Sequence, residues 1–385
     1  MSLEYKYPLG KVTTPQLQAL TTVLWSWSIC TECPTEPPCK NPNCSWSRST
    51  TLSRYFEFFK KSTSGYKCST VPGQSPGLSS YDDLFRIIKQ LKSNPELSKA
   101  ELLEKLFTDR PTRPYQERAL NLAVQVVTMI NCSAFRQSSV LSEYGNEQAR
   151  WHLNDTFAQF LNNAFPKTSH PSIDEIKSEL LATKFKKNAR LELRPTDDLR
   201  NHLKLDRKLG VVEIFHHASF LKEQLRLTKE QPQGVSVSDL IRIGALPRGL
   251  VIEVLDSIQK VIFDVADVKS KELLLSLTST STCNFDPDIL RYENVSIRNP
   301  EEQDIQYHYF GARLLDLHEE LRNPTPRGFE KWFERKSSPR FVMMATIAGV
   351  LFAIFLGLLS LALGGFQAYV GYMAWKHPVQ APSGS

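Results

Sequence analysis

Three signatures that mark large enzyme classes are absent from this chain: G-x-x-x-x-G-K-S/T, G-x-G-x-x-G and H-E-x-x-H. Their absence leaves no linear support for a P-loop, a dinucleotide-binding turn or a zincin helix. No cofactor is therefore expected. The start of the chain, MSLEYKYPLGKVTTPQLQAL, lacks a basic opening followed by an apolar core, so no secretory signal is expected and the cysteines are assigned to a reducing compartment. No concentrated basic stripe occurs either. The net charge of +6 and pI near 8.8 are mild, which excludes a nucleic-acid partner from the expectations. Internal repeats and low-complexity tracts are missing as well.

The longest absence is of charge. Between Arg340 and Lys376 there is no Asp, Glu, Lys or Arg. A bilayer core needs roughly 20 apolar residues in a helix, and Val342–Leu363 supplies 22. Gly364-Gly365 is expected to break the helix, leaving Phe366, Tyr369, Tyr372 and Trp375 as an interfacial aromatic collar. A single tilted helix to Trp375 is the other solution. Arg322, Arg327, Lys331, Arg335, Lys336 and Arg340 precede the span, whereas Lys376 alone follows it, so the N-terminal side is expected in the cytosol. A span placed so late predicts a tail-anchored protein. One Lys after the span is a weak mitochondrial address, which favours the endoplasmic reticulum or a later secretory membrane. Ala345, Gly349, Ala353 and Gly357 recur every four residues and form one small-residue ridge, the expected face for a homodimer through the span.

Ahead of the span the pattern is mainly α. Capping boxes are expected at Ser98–Glu101 and Ser172–Glu175, and the run LTTVLWSWSI is too short and too hydroxylated to span, so it reads as a core helix. Apolar stripes at Trp151, Phe157, Phe160, Leu161 and Phe165, at Val251, Leu255, Ile258 and Ile262, and at Tyr307, Phe310, Leu314, Leu317 and Leu321 predict helices. One stretch departs from that period. Leu203 and Leu205 alternate with polar residues, Arg207–Gly210 supplies a turn, and an apolar strand follows from Val211 to His217, together a small β-hairpin. The expected organisation is an N-terminal helical segment with a Cys-rich loop (1–63), a Ser/Pro/Gly-rich linker (64–80) and a mainly helical domain (81–322) with the hairpin near 191–217. A basic juxtamembrane segment (323–341), a transmembrane helix (342–363) and an interfacial segment with a short tail (364–385) complete it.

The stretches LRPTDDLRNHLKLDRKLGVVEIFHHASFLKEQLRLTK, LPRGLVIEVLDSIQKVIFD, YHYFGARLLDLHEELRNPTPRG and KWFERKSSPRFVMMATIAGV resemble a family of uncharacterised filamentous-fungal helical proteins with one C-terminal transmembrane segment. The resemblance covers roughly Leu191 to His377. It implies a fungal source and supports the span, and it brings no activity with it.

Four groups could carry chemistry. Cys30, Cys33, Cys39 and Cys44 have the spacing C-x2-C-x5-C-x4-C. Four thiolates suit zinc, but structural sites more often pair two short knuckles across a longer loop, so free thiols and less than one zinc per chain are expected. His216 and His217 at a strand end should face opposite ways, with His202 on the partner strand within reach of only one of them. Asp304 and His308 sit four apart on an expected helix, a spacing common to surface pairs. The hairpin region is dense in charge, and Arg194, Asp197, Asp198, Arg200, Lys204 and Asp206 form the candidate interaction surface for a protein partner. Sequons at Asn43, Asn131, Asn154 and Asn294 go unused if the domain is cytosolic. The function expected from this pattern is a non-enzymatic, membrane-anchored adaptor. An enzyme or accessory factor of a fungal membrane-associated pathway is the alternative.

Overall fold

Helix starts in this protein are written in short polar signatures, and the computed structural model shows them closed. The described residues are 5–6, 9–31, 33, 39, 41, 43–66, 68–69, 77–107, 113–132, 150–169, 173–232, 234–279, 285–327 and 339–376. Thr13 and Gln16 cap α1 (Thr14–Trp25), Ser80 and Asp83 cap α3 (Tyr81–Ser93), and Ser98 and Glu101 cap α4 (Lys99–Leu106). Each box returns a side chain to two otherwise orphaned amides, worth about 1 kcal/mol per cap. α2 (Ser53–Ser64) and α5 (Arg113–Thr128) complete the N-terminal layer. α3 buries Tyr81, Leu84, Phe85, Ile87, Ile88 and Leu91, an apolar face wide enough to meet α1, α4 and α5 at once.

Further along lie α6 (Phe157–Ala164), α7 (Ala182–Lys187), α8 (Ala218–Thr228), α9 (Val237–Ile243) and α10 (Arg248–Asp256). α10 runs into a π-helical turn, Ser257–Ile262, and α11 (Val268–Ser279), α12 (Asn294–Ile297) and α13 (Gly311–Arg322) follow. β1 (Tyr5–Lys6) pairs antiparallel with β2 (Cys68–Ser69). β3 (Glu192–Thr196), β4 (Lys204–Asp206) and β5 (Val211–Phe215) form a sheet in the order β3-β5-β4. The expected hairpin is β4–β5, with Leu205 opposite Val212. The third strand was not expected: β3 lies parallel to β5, Glu192 opposite Val211. β5 is flanked on both sides, which fits its nearly unbroken apolar run, and Pro195 is tolerated because β3 is an edge.

Three expected helices are corrected. The run from Ile173 to Leu180 holds only a 3-10 turn at Lys177–Glu179, and Ser172, the expected cap, lies outside the described residues. α6 covers only the middle of its stripe, with Trp151 and Phe165 flanking it. α13 starts at Gly311, after Tyr307 and Phe310. The reason for the last is Glu253. Its buried carboxylate accepts the amides of His308 (2.7 Å), Tyr309 (2.8 Å) and Phe310 (3.1 Å), holding that backbone in a bend that no helix shares.

Met1–Pro324 forms one compact unit and Thr325–Ser385 a second, with the boundary inside the Pro-rich stretch at 323–328. The expected linker at 64–80 does not separate units: Leu78 is fully buried in the common core, as are Leu52, Tyr55 and Phe59 before it. In the second unit α14 (Pro339–Lys376) is continuous. The break expected at Gly364-Gly365 is absent, because two glycines cost only about 2 kcal/mol in a helix that long apolar flanks propagate. Thr346–Lys376 is long and apolar enough to cross a membrane.

Candidate metal centre

The Cys-rich loop closes on itself. The Sγ atoms of Cys30, Cys33, Cys39 and Cys44 all lie within 4.8 Å of one another. Cys30 and Cys39 sulfurs are 3.7 Å apart, and Cys33 and Cys44 sulfurs 3.8 Å. All four are free thiols, with Cys39 and Cys44 only 8% and 3% exposed. Local backbone bonds set the positions. The Cys33 amide donates to the Cys30 carbonyl (3.2 Å), making the C-x-x-C turn, and the Cys44 amide donates to the Asn41 carbonyl (3.1 Å). The Ser45 amide then donates to the Ser28 carbonyl (3.0 Å) and ties the two ends of the loop together.

That tie is packed against aromatics. Trp46, immediately after the loop, is buried against Trp27 (6.3 Å between centroids) and Phe56 (5.9 Å), and Trp27 meets Trp25 at 5.6 Å. Arg48 stacks on Trp27 and gives a two-pronged pair to the buried Glu223 of α8, at 3.0 and 3.2 Å. Burial pushes the Cys44 thiol up, but amides of Cys30 and Trp46 and the neighbouring thiols outweigh it and bring it down to about 7. Cys30 and Cys33 are pushed up, first by burial and then by the thiols around them. The amide of Cys30 points at Cys44 Sγ from 3.5 Å, an N–H···S contact of the kind that stabilises thiolate ligands.

A second cluster joins Asp197, His216 and His217. β5 stops at Phe215, so strand alternation no longer separates the two rings, and the expectation of opposite faces is corrected: their centroids lie 4.0 Å apart. Both Nε2 atoms reach the same oxygen of Asp197, at 3.3 Å from His216 and 2.9 Å from His217. Both Nδ1 atoms are buried with no hydrogen-bond partner. Burial, together with neighbouring His216, holds His217 down at about 3, so it stays neutral. With Nε2 engaged and Nδ1 enclosed, neither imidazole offers a nitrogen to a substrate.

His202 stands apart from that pair. Its Nε2 lies 2.7 Å from Ser257 Oγ on the π-helical turn, and its Nδ1 accepts the Phe215 amide at 3.2 Å. Ser257 donates to the Val254 carbonyl (2.8 Å), so His202 Nε2–H is the donor to Ser257. The proton therefore sits on the wrong nitrogen for His202 to activate Ser257, and burial keeps the ring neutral. Asp304 and His308 lie outside any helix, and His308 serves through its carbonyl, which accepts from Thr168 at 2.8 Å.

The charges of the hairpin region are largely spent on the fold. Arg194 pairs with Glu192 (3.3 Å), Asp197 takes the two histidines and Lys61 (3.4 Å), and Asp198 caps Arg200 N (3.0 Å). Asp206 accepts the amides of Lys208 and Leu209, both at 2.9 Å, and so closes the turn. Lys204 is half-buried.

Two features escape a reading by motif. α8 is buried from Ala218 to Leu225 and again at Thr228, although it carries Ser219, Lys222, Glu223, Gln224 and Thr228. Lys222 Nζ meets Asp288 Oδ2 (2.6 Å) and two carbonyls, and Ser219 meets Asp286 (2.8 Å). Gly73-Gln-Ser-Pro-Gly77 matches the pattern G-x-S-x-G. Ser75 lies outside the described residues, α3 begins only at Tyr81, and a nucleophile elbow needs the serine on the strand-to-helix turn itself. Gly77 has a packing reason: a Cβ there would stand 2.4 Å from the Tyr115 carbonyl oxygen. No family model, curated protein or solved structure matches the chain.

Proposed function

We propose that the protein is a single-pass membrane protein whose helical unit acts as a non-enzymatic adaptor on the cytosolic face of an endoplasmic-reticulum or later secretory membrane. One observation carries the membrane half: the helix Thr346–Lys376 is long and apolar enough to span a bilayer, and its apolar side chains are exposed. Leu351, Phe355, Leu358 and Leu361 of that stretch all stand more than half exposed, which water does not tolerate and a lipid bilayer supplies. The aromatic residues Phe366, Tyr369, Tyr372 and Trp375 suit the headgroup level at its far end. The basic residues before the helix favour the cytosolic side for the larger unit.

The adaptor half is supported by how the charged groups are used. Imidazoles and carboxylates that could do acid–base work are locked into the fold, as the Asp197 and His202 clusters show. Tethering then supplies the physical advantage, since it confines both partners to one surface and raises their effective concentration. The resemblance to filamentous-fungal proteins with one C-terminal span fits the same reading.

Tags at the two ends, followed by protease treatment of sealed microsomes, test the orientation. The N-terminal tag is expected to be digested and the C-terminal tag protected; the opposite pattern rejects the model. Proximity labelling from the N-terminal unit tests the adaptor. A stable set of protein neighbours supports it, with loss on Arg194→Glu, a surface change that leaves the core alone. Neighbours that are metabolic enzymes, with loss of one small-molecule product on deletion, would replace the adaptor by the pathway factor.

A further inference from the structure

We propose that Cys30, Cys33, Cys39 and Cys44 bind one zinc ion in a closed, structural tetrathiolate site. In tetrahedral coordination with Zn–S bonds of about 2.3 Å, neighbouring sulfurs stand about 3.8 Å apart. Two pairs, Cys30 with Cys39 and Cys33 with Cys44, are 3.7 and 3.8 Å apart. They share no residue, so they are opposite edges of one tetrahedron. The remaining pairs all lie within 4.8 Å, at most about an ångström beyond the ideal edge, so one central cation can reach all four sulfurs.

The donor set selects the metal. Four soft thiolates in tetrahedral array favour zinc over the hard cations that take oxygen. Iron–sulfur clusters spread their thiolates over two or more irons, a wider arrangement than four sulfurs within 4.8 Å of one another. All four positions come from the protein, which leaves no place for water or substrate and makes the site structural. Binding exchanges the thiol protons for four Zn–S bonds and releases the protons to solvent.

The site also explains an otherwise costly loop. Cys39 and Cys44 are buried, yet the residues between Cys33 and Cys44 belong to no helix or strand among those described. Zinc cross-links the two ends of the loop beside the Ser45–Ser28 bond and presses Trp46 onto Trp27. Through Arg48 and Glu223 that contact reaches the largely buried α8. The metal thus fixes the N-terminal segment to the core, independently of what the membrane-anchored unit binds.

The test is metal analysis of the full chain, purified in detergent and dialysed against metal-free buffer. About one zinc per chain is expected. The Cys30→Ser, Cys39→Ser double variant should lose it, and Cys132→Ser should keep it, because Cys132 is buried elsewhere against Asn121. If the double variant does not fold, cobalt substitution of the wild-type chain decides. Intense tetrahedral d–d bands with sulfur-to-cobalt charge transfer support the site, and a weak octahedral spectrum overturns it. Zinc below a tenth of an equivalent after refolding with excess zinc sulfate also overturns the proposal. So does zinc retained in the double variant, or stoichiometric iron in its place.

Discussion

Glu253 is a buried carboxylate whose charge is answered by backbone alone. Three successive amides, His308 to Phe310, point at it, and they direct the chain into α13. Glu253→Ala would leave the Phe310 amide buried and unpaired and release the half-buried amides of His308 and Tyr309, a loss of about 1–3 kcal/mol. Chemical denaturation should show that loss, and a change under 1 kcal/mol would mean the bend is held by something else. His202 gives a pH dependence at the same scale. Burial, with Arg313 nearby, holds its folded pKa well below the ordinary 6.5, so only the unfolded chain takes its proton as pH falls through 6.5. Stability from this group is complete above pH 6.5 and is lost below it, by up to about 1.4 kcal/mol per pH unit. His217, held at about 3, adds a second proton of the same sign. Unfolding midpoints should fall steeply from pH 6.5 to 5, and His202→Gln should remove about half of the slope; a flat profile would show the rings already protonated in the fold. Neither role could be read from the sequence. Neighbouring histidines on an assumed strand suggested opposite faces, and the end of β5 two residues earlier, at Phe215, reversed that geometry.

Elements were more legible than residues. The Ser98–Glu101 capping box closed as read, because a cap is a local bargain between residues three apart. The β4–β5 hairpin was legible for the same reason. The parallel strand β3 was not, since its partner is set by tertiary contact rather than by a turn. α14 shows the limit at glycine: a dipeptide that reads as a break is absorbed when both flanks favour helix. The same helix carries a prediction. At Gly349 and Gly357 an added Cβ would meet nothing within 4 Å, so this stretch of the helix has room for a second backbone. Gly349→Ile and Gly357→Ile should lower self-association in a membrane dimerisation assay, by at least severalfold if both contact positions are filled. Leu356→Ile, off the ridge, should be silent, and equal effects from all three would remove the dimer.

At the scale of the whole molecule, the sequence placed four cysteines in one loop but pointed to free thiols rather than to a metal centre. The spacing of Cys30, Cys33, Cys39 and Cys44 named the donors, but their convergence depends on Trp27, Trp46 and the Ser45–Ser28 bond, which no local rule supplies. The apolar helix, by contrast, was visible as a plain absence of charge. These two features belong to different units, Met1–Pro324 and Thr325–Ser385, and that division can be tested. The first unit buries its own core from Leu9 to Leu317 and has caps and ion pairs that close within it. A fragment ending at Pro324 should therefore be soluble without detergent and unfold in one cooperative transition. Its midpoint should lie within a few degrees of the full chain's, because that core is drawn from Leu9 to Leu317 alone. Adding a zinc chelator should lower the midpoint of fragment and full chain alike, as expected when a ligand bound only by the folded state is withdrawn. A fragment that aggregates or melts without cooperativity would show that the first unit depends on the membrane segment. A chelator effect confined to the full chain would place the metal's role outside the Cys30–Cys44 loop.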